Sequence, residues 1–266
     1  MSPVNRPEQE SARPLEPIAM AALDAGRMLM EAGANAAGTE EIVETVARGL
    51  GAERVDLRIG YASLSVTIGS GSSGISRMRK IGPLGVNQQL DQQLWELAVR
   101  VSRGELTSQQ TSAALEHLRR ETPSHPLWLK AIAVGLACAA FGRLLGVDWV
   151  GCAPVFAAAA IGQYVRGKLL HRQVNAFLCT ALVSFLSSTL GGLLAAWAGT
   201  STLTAAAISS VLLLVPGVPA VNAQSDILDG HPTLGSARAV TVAMHLVFIA
   251  AGLWIGRALL TWWQLV

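Results

Sequence analysis

The stretch LTAAAISSVLLLVPGVPAVNAQSDILDG, residues 203–230, decides how the chain reads. Its apolar part, residues 203–215, is about 20 Å of helix at 1.5 Å per residue, too short to cross the ~30 Å hydrocarbon core of a bilayer. Pro216, Gly217 and Pro219 then interrupt the backbone, and Asn222, Gln224, Ser225, Asp226 and Asp229 follow. Proline removes a backbone donor and clashes with the turn before it. A break at membrane depth leaves polar groups unpaired, at several kcal/mol each. It persists only where protein packs around it or where it lines a wet cavity. The stretch reads as a broken membrane helix shaped by Pro216, Gly217 and Pro219, with water and solute reaching it. Asn222 and Asp226 are its polar site groups, and Asp226 is suited to carry a proton or bind a cationic amine.

Four longer apolar runs surround this break, at about residues 127–145, 149–165, 174–198 and 237–260. A spanning helix needs ~20 apolar residues. The first, third and fourth runs meet that length, and the second is short. Trp128, Trp149 and Trp197 sit near run ends, and Trp262 and Trp263 follow the last run, as in an interfacial aromatic belt. The expected architecture over residues 126–266 is a membrane all-α domain of five transmembrane helices, the fourth broken. Thr180, Ser184, Ser187 and Gly191 repeat at i, i+4, i+7 and i+11, one helical stripe. Arg238, Thr241 and His245 form a second stripe. Small and hydroxyl residues also hold helices together, but an ionisable group inside a membrane is costly and usually has a task. His245 is expected to relay protons or meet an anionic substrate, with Arg238 balancing charge. The candidate substrate or ion site therefore comprises Asn222, Asp226, Arg238, His245, Thr180 and Ser184. Ala131, Gly135, Ala139 and Gly142 form a small-residue face suited to close helix contact.

Composition agrees. The chain is 51% hydrophobic and 14% charged, with a mean hydropathy of +0.42; an average soluble domain is about a quarter charged. Residues 1–125 hold 13 Lys and Arg against 15 Asp and Glu, a net of −2; residues 126–266 hold 7 against 3, a net of +4. The first half is not basic, so nucleic acid is not an expected partner. Cys138, Cys152 and Cys179 fall inside apolar runs at no zinc spacing. No metal or cofactor is expected. Residues 1–17 lack the basic and apolar regions of a secretory signal, which keeps the first domain in the cytoplasm. Arg166, Lys168, Arg172 and Arg238 would share that side with Arg119 and Arg120, and Arg143 and Arg257 would lie opposite. The amino terminus is then inside and the carboxyl terminus periplasmic, in a bacterial inner membrane.

Ahead of the membrane helices, a tail at residues 1–17 is expected to be disordered, and residues 18–125 read as a small cytoplasmic α+β domain. Two helices come first, at 18–34 and after a cap at Thr39. Val55, Leu57 and Ile59 alternate, as do Leu64, Val66 and Ile68, and the run Gly69–Gly74 turns the chain into a third strand at 75–81. A helix with Leu90, Leu94, Leu97 and Val101 on one stripe follows, and Thr107 with Gln110 makes a capping box for the next. The glycine run joins two strands and lacks phosphate-loop spacing. Arg77, Arg79 and Lys80 read as an exposed strand face, with contact to anionic lipid or a partner as the alternative. No Ser/His/Asp or Cys/His grouping points to an enzyme. An intramembrane hydrolase using Ser209 or Ser210 with His245 lacks the expected glycine setting for its serine.

The stretch LLLVPGVPAVNAQSDILDGHPTLGSAR, residues 212–238, resembles the signature of the threonine/serine exporter family. So do MLMEAGANAAGTEEIVETVARGLGA, residues 28–52, and HPLWLKAIAVGLACAAFGRLLG, residues 125–146. The likeness covers about residues 18–260. Single-chain members carry a second block of five membrane helices, whereas this chain has one. It is therefore similar to the larger component of the family's split form, in which a small integral-membrane partner supplies the second block. The resemblance implies export of a small polar metabolite, a C4 dicarboxylate such as succinate or threonine and serine. A chain with one helix block has polar faces and no second wall, so a partner and a higher oligomer are expected. The contrasting expectation is a membrane-anchored metabolite sensor that moves nothing itself.

Overall fold

Alanine and leucine spacing builds the first helix, α1 (Leu15–Ala32), whose buried side includes Leu15, Ile18, Leu23, Leu29 and Met30. It starts three residues before the expected boundary at 18, because Leu15 already reaches the core. The structure, a computed structural model, describes residues 15–70, 73–121 and 125–262. Most of the expected tail, the tip of the glycine turn, Trp263 and the carboxyl terminus lie outside them.

After α1 come α2 (Ala36–Gly49), β1 (Arg54–Ile59), β2 (Ser63–Ser70), β3 (Ser73–Lys80), α3 (Gln88–Ser102) and α4 (Ser108–Glu121). The strands form one antiparallel sheet in the order β1-β2-β3, with Leu57 opposite Val66 and Ile68 opposite Ile75. Leu64, Val66 and Ile68 are fully buried and share one core with α1, α2 and α3. The capping box holds: Thr107 N donates to Gln110 Oε1 at 2.9 Å, and Gln110 N to Thr107 Oγ1 at 3.4 Å. Thr39 is not the cap of α2. Asn35 is, its Oδ1 accepting from Gly38 N at 3.0 Å, while Thr39 sits inside the helix and donates to Asn35 O. Arg77 and Arg79 are not a free strand face either. Alternation puts both half-buried beside Ile75, paired with Glu16 and Asp24 of α1, respectively.

The remaining elements are α5 (Leu127–Leu144), α6 (Trp149–His171), α7 (Ala176–Ala198), α8 (Leu203–Ser209), a 3-10 turn at Leu212–Leu214, α9 (Gly217–Leu228) and α10 (Pro232–Trp262). Among the described residues three helices, α5, α7 and α10, are long and apolar enough to cross a membrane. The bent pair Leu203–Leu214 and Gly217–Leu228 makes a fourth if it is one span. Of the five expected spans the second, α6, has the length at 23 residues, but Pro154, Gln163 and its basic last turns leave it short of that apolarity. It packs between α5 and α7 through Val155, Ala158, Ala159 and Gly162. On α5 the buried stripe is Ala131, Gly135, Cys138 and Gly142, with Ala139 half-buried. Trp128, Leu144, Trp149, Leu178, Trp197 and Trp254 are exposed. That surface suits lipid, and the chain is a multi-pass membrane protein.

The chain divides into two compact units. One holds the residues up to Pro123 together with Val218–Ala239; the other holds Ser124–Gly217 and Val240–Val266. The segment after the break thus belongs with the α+β unit, and Leu234 of α10 lies in that unit's core. This differs from the contiguous boundary at 125/126, because a contact made 190 residues away leaves no periodic mark on the sequence.

Candidate functional site

The break is narrower than its sequence suggests. Only Val215 and Pro216 separate the 3-10 turn from α9. Pro219 lies in the first turn of α9, where backbone N–H groups have no partner within the helix and proline removes nothing needed. Gly217 has an ordinary φ and open space where a side chain would stand. Of the three residues assigned to the break, Pro216 sits at it and the other two begin the next helix.

One helical turn apart on α9, Asn222 and Asp226 meet the turn between α1 and α2. Asn222 Nδ2 donates to Gly33 O at 2.7 Å. Asp226 is fully buried; its Oδ1 accepts from Ala36 N at 2.7 Å, and its Oδ2 accepts from Arg238 Nη1 at 2.7 Å. Arg238, 4% exposed, also donates from Nη2 to Ala34 O at 3.0 Å. Asn35 Nδ2 donates to Ser225 Oγ, and Ser225 Oγ donates in turn to Asp229 Oδ2. Ala36 is the first residue of α2, so the Asp226 carboxylate caps a helix distant in sequence and faces the positive end of its dipole. Gly33 makes the turn possible with φ +110°, and a Cβ there would stand 2.8 Å from Gly85 O. The polar groups after the break are thus satisfied by packed protein.

In the second unit, α7 and α10 carry the other polar residues. His245 Nδ1 lies 3.2 Å from Thr180 Oγ1, which itself donates to Ala176 O at 2.9 Å. The direction of the Thr180–His245 bond depends on the histidine tautomer. The Phe177 ring stands 4.7 Å from the imidazole. Ser184 Oγ donates to Ile249 O at 2.7 Å. Ser187 and Thr189 present buried hydroxyls with no hydrogen-bond partner among the described residues. Ser210 Oγ is committed to Ala206 O, Ser209 Oγ has no partner among the described residues, and His245 turns to Thr180, so neither serine pairs with the histidine.

Six predicted residues therefore fall into two groups. Asn222, Asp226 and Arg238 come together in the first unit; Thr180, Ser184 and His245 come together along the α7–α10 seam of the second. Sequence reasoning missed Asn35, Gly33 and Ser225. The available signal was the stretch GAN, residues 33–35, where a glycine and an Asx cap adjoin.

A family model described as "Putative threonine/serine exporter" matches residues 20–260. The chain belongs to the threonine/serine exporter family. Within it, the chain is similar to the "Probable succinate transporter subunit YjjP" of Klebsiella aerogenes, 30% identical over 213 residues, covering 79% of this chain and 81% of that protein. It is 29% identical to the protein of the same name from Escherichia coli K12 over 219 residues, covering 81% and 84%. An "Uncharacterized protein" of Haemophilus influenzae is 22% identical over 242 residues, covering 77% and 79%. No solved structure matches. Two of the stretches that carry the exporter-family resemblance meet in the fold: residues 33–36 are the turn that Asn222, Asp226 and Arg238 hold.

Proposed function

We propose that this chain is one subunit of an inner-membrane secondary exporter of small polar metabolites, and that it works with a small integral-membrane partner supplying a second block of helices. Membership of the exporter family over residues 20–260 carries this reading. A C4 dicarboxylate is the preferred substrate. The relatives' printed name favours succinate, and the membrane half's net charge of +4 favours an anion. Threonine and serine remain the competing substrates. The first unit lies in the cytoplasm, the carboxyl terminus is periplasmic, and the assembly is a higher oligomer.

The polar path follows the α7–α10 seam. The His245 imidazole can take up a proton, and the unmet hydroxyl of Thr189, which faces Gly256 of α10, provides hydrogen-bonding capacity. Asp226 and Arg238, engaged with each other and with the α1–α2 turn, hold the segment after the break and enter transport only if that clasp opens. Counterflow in vesicles containing the chain and its co-expressed partner tests the reading. Succinate should exchange, His245→Ala should slow exchange at unchanged protein abundance, and Thr180→Val should slow it less. Vesicles that move neither dicarboxylates nor hydroxy amino acids above the empty control would overturn it and favour a sensor.

A further inference from the structure

We infer that the first unit carries a binding site for a small dianion, a phosphate or a dicarboxylate, in the cleft between α1, β3 and α4. The cleft has a volume of about 460 Å³ and is lined by Asp24 and Arg27 of α1, Arg79 and Lys80 of β3, and Glu116 and Arg119 of α4. Four cations face two carboxylates, a surplus of two positive charges.

The carboxylates are already shared. Asp24 Oδ1 lies 3.4 Å from Arg27 Nη2 and 3.3 Å from Arg79 Nε. Glu116 Oε1 accepts from Arg119 Nη2 at 2.9 Å and from Arg120 Nε at 2.8 Å, so it serves a cation outside the cleft as well. Glu31, next to Arg27, stands 3.6 Å from it while the same oxygen accepts from Gly82 N at 2.7 Å. Counting Glu31 and Arg120 leaves the surplus at two. The Asp24 contacts satisfy charge but not direction: Arg27 Nε and Arg79 Nε are buried with no hydrogen-bond partner among the described residues. A buried donor without an acceptor is costly, and charged donors most of all.

An anion in the cleft answers the surplus of positive charge. Guanidinium groups match carboxylate and phosphate oxygens in a plane, and Lys80 adds a point charge at the strand end. A zwitterion fits less well, because both carboxylates that would hold its ammonium are occupied by arginines. The volume lies within the ~300–1,000 Å³ of small-ligand sites. This cleft shares no residue with the α7–α10 seam, and its occupancy does not depend on transport.

Calorimetric titration of the full chain in phosphatidylcholine nanodiscs, with inorganic phosphate and with succinate, tests the site. At least one anion should bind saturably, and Arg79→Gln and Lys80→Gln should each weaken it about tenfold, the scale of one charge-assisted hydrogen bond. Arg48→Gln on α2, outside the cleft, should leave it unchanged. Lys80 holds no ion pair among the described residues, so its variant keeps the test valid even if Arg79→Gln loosens the sheet. Repeating the titration in phosphatidylglycerol nanodiscs separates the sources. Lost binding of the free anion there assigns the site to a lipid headgroup, and retained binding assigns it to a soluble metabolite. The site is overturned if neither anion binds saturably in phosphatidylcholine, or if the Arg79→Gln, Lys80→Gln double variant binds as tightly as the wild type.

Discussion

Asp226 and Ala36, 190 residues apart, share a hydrogen bond of 2.7 Å in which the carboxylate accepts the first backbone N–H of α2. The opposite oxygen of the same carboxylate holds Arg238, and Arg238 reaches back to Ala34 O. One acidic side chain thus ties together the end of α9, the start of α10 and the turn between α1 and α2.

Removing both charges should cost less than the two single losses added together. Asp226→Asn keeps an acceptor for Ala36 N but strands a buried guanidinium, and Arg238→Gln strands a buried carboxylate. Each should destabilise the first unit by about 3–5 kcal/mol. The double variant should lose less than the sum, as expected for residues in direct contact. Denaturant unfolding of the four proteins in detergent measures the coupling. Additive losses would show that the pair is not a unit.

A second tie should fail in acid. Asp148 caps α6 by accepting from Gly151 N at 2.7 Å, and binds the loop after α7 through Thr200 Oγ1 at 2.5 Å and Ser201 N at 3.0 Å. The Thr200 hydroxyl bond, followed by the Gly151 N–H, holds its pKa down from 3.8 to about 2. The folded state therefore binds the proton less readily than the unfolded chain. The stabilisation is full above pH 3.8, declines as pH falls, and is gone below about 2. The melting difference between wild type and Asp148→Asn should follow the same course. A difference that grows with acid would reverse the sign and exclude the assignment.

Glycine should matter at the seam and not at the break. A Cβ on Gly252 would stand 2.3 Å from Ala181 O and 2.9 Å from Phe185 N, so Gly252→Ala should push α10 off α7 at a cost of about 1–3 kcal/mol. Gly217→Ala meets nothing within 4 Å and should shift stability by no more than about 1 kcal/mol, in the favourable direction. Thermal unfolding followed by tryptophan fluorescence distinguishes the two. Equal midpoints would mean that the helices do not approach closely at Gly252.

Local pattern makes much of this protein readable from its residues alone. The alternation of residues 55–68 specifies β1 and β2, Thr107 with Gln110 specifies the start of α4, and uninterrupted apolar length specifies α5, α7 and α10. The stripe of Thr180, Ser184, Ser187 and Gly191 is buried as its spacing requires. These are properties of single helices and strands, whose side chains recur at fixed periods. The partners of Asn222, Asp226 and Arg238 are not readable in that way. A polar group after a proline needs something to bond, but whether water, solute or a distant turn supplies it is not encoded within the helix. Tertiary packing brings Gly33, Ala34 and Ala36 to them, and in doing so moves residues 218–239 into the compact unit that begins at the amino terminus. The order of residues dictates which groups must be satisfied, because that requirement is local; the fold chooses what satisfies them, because that depends on which surfaces the whole chain buries together.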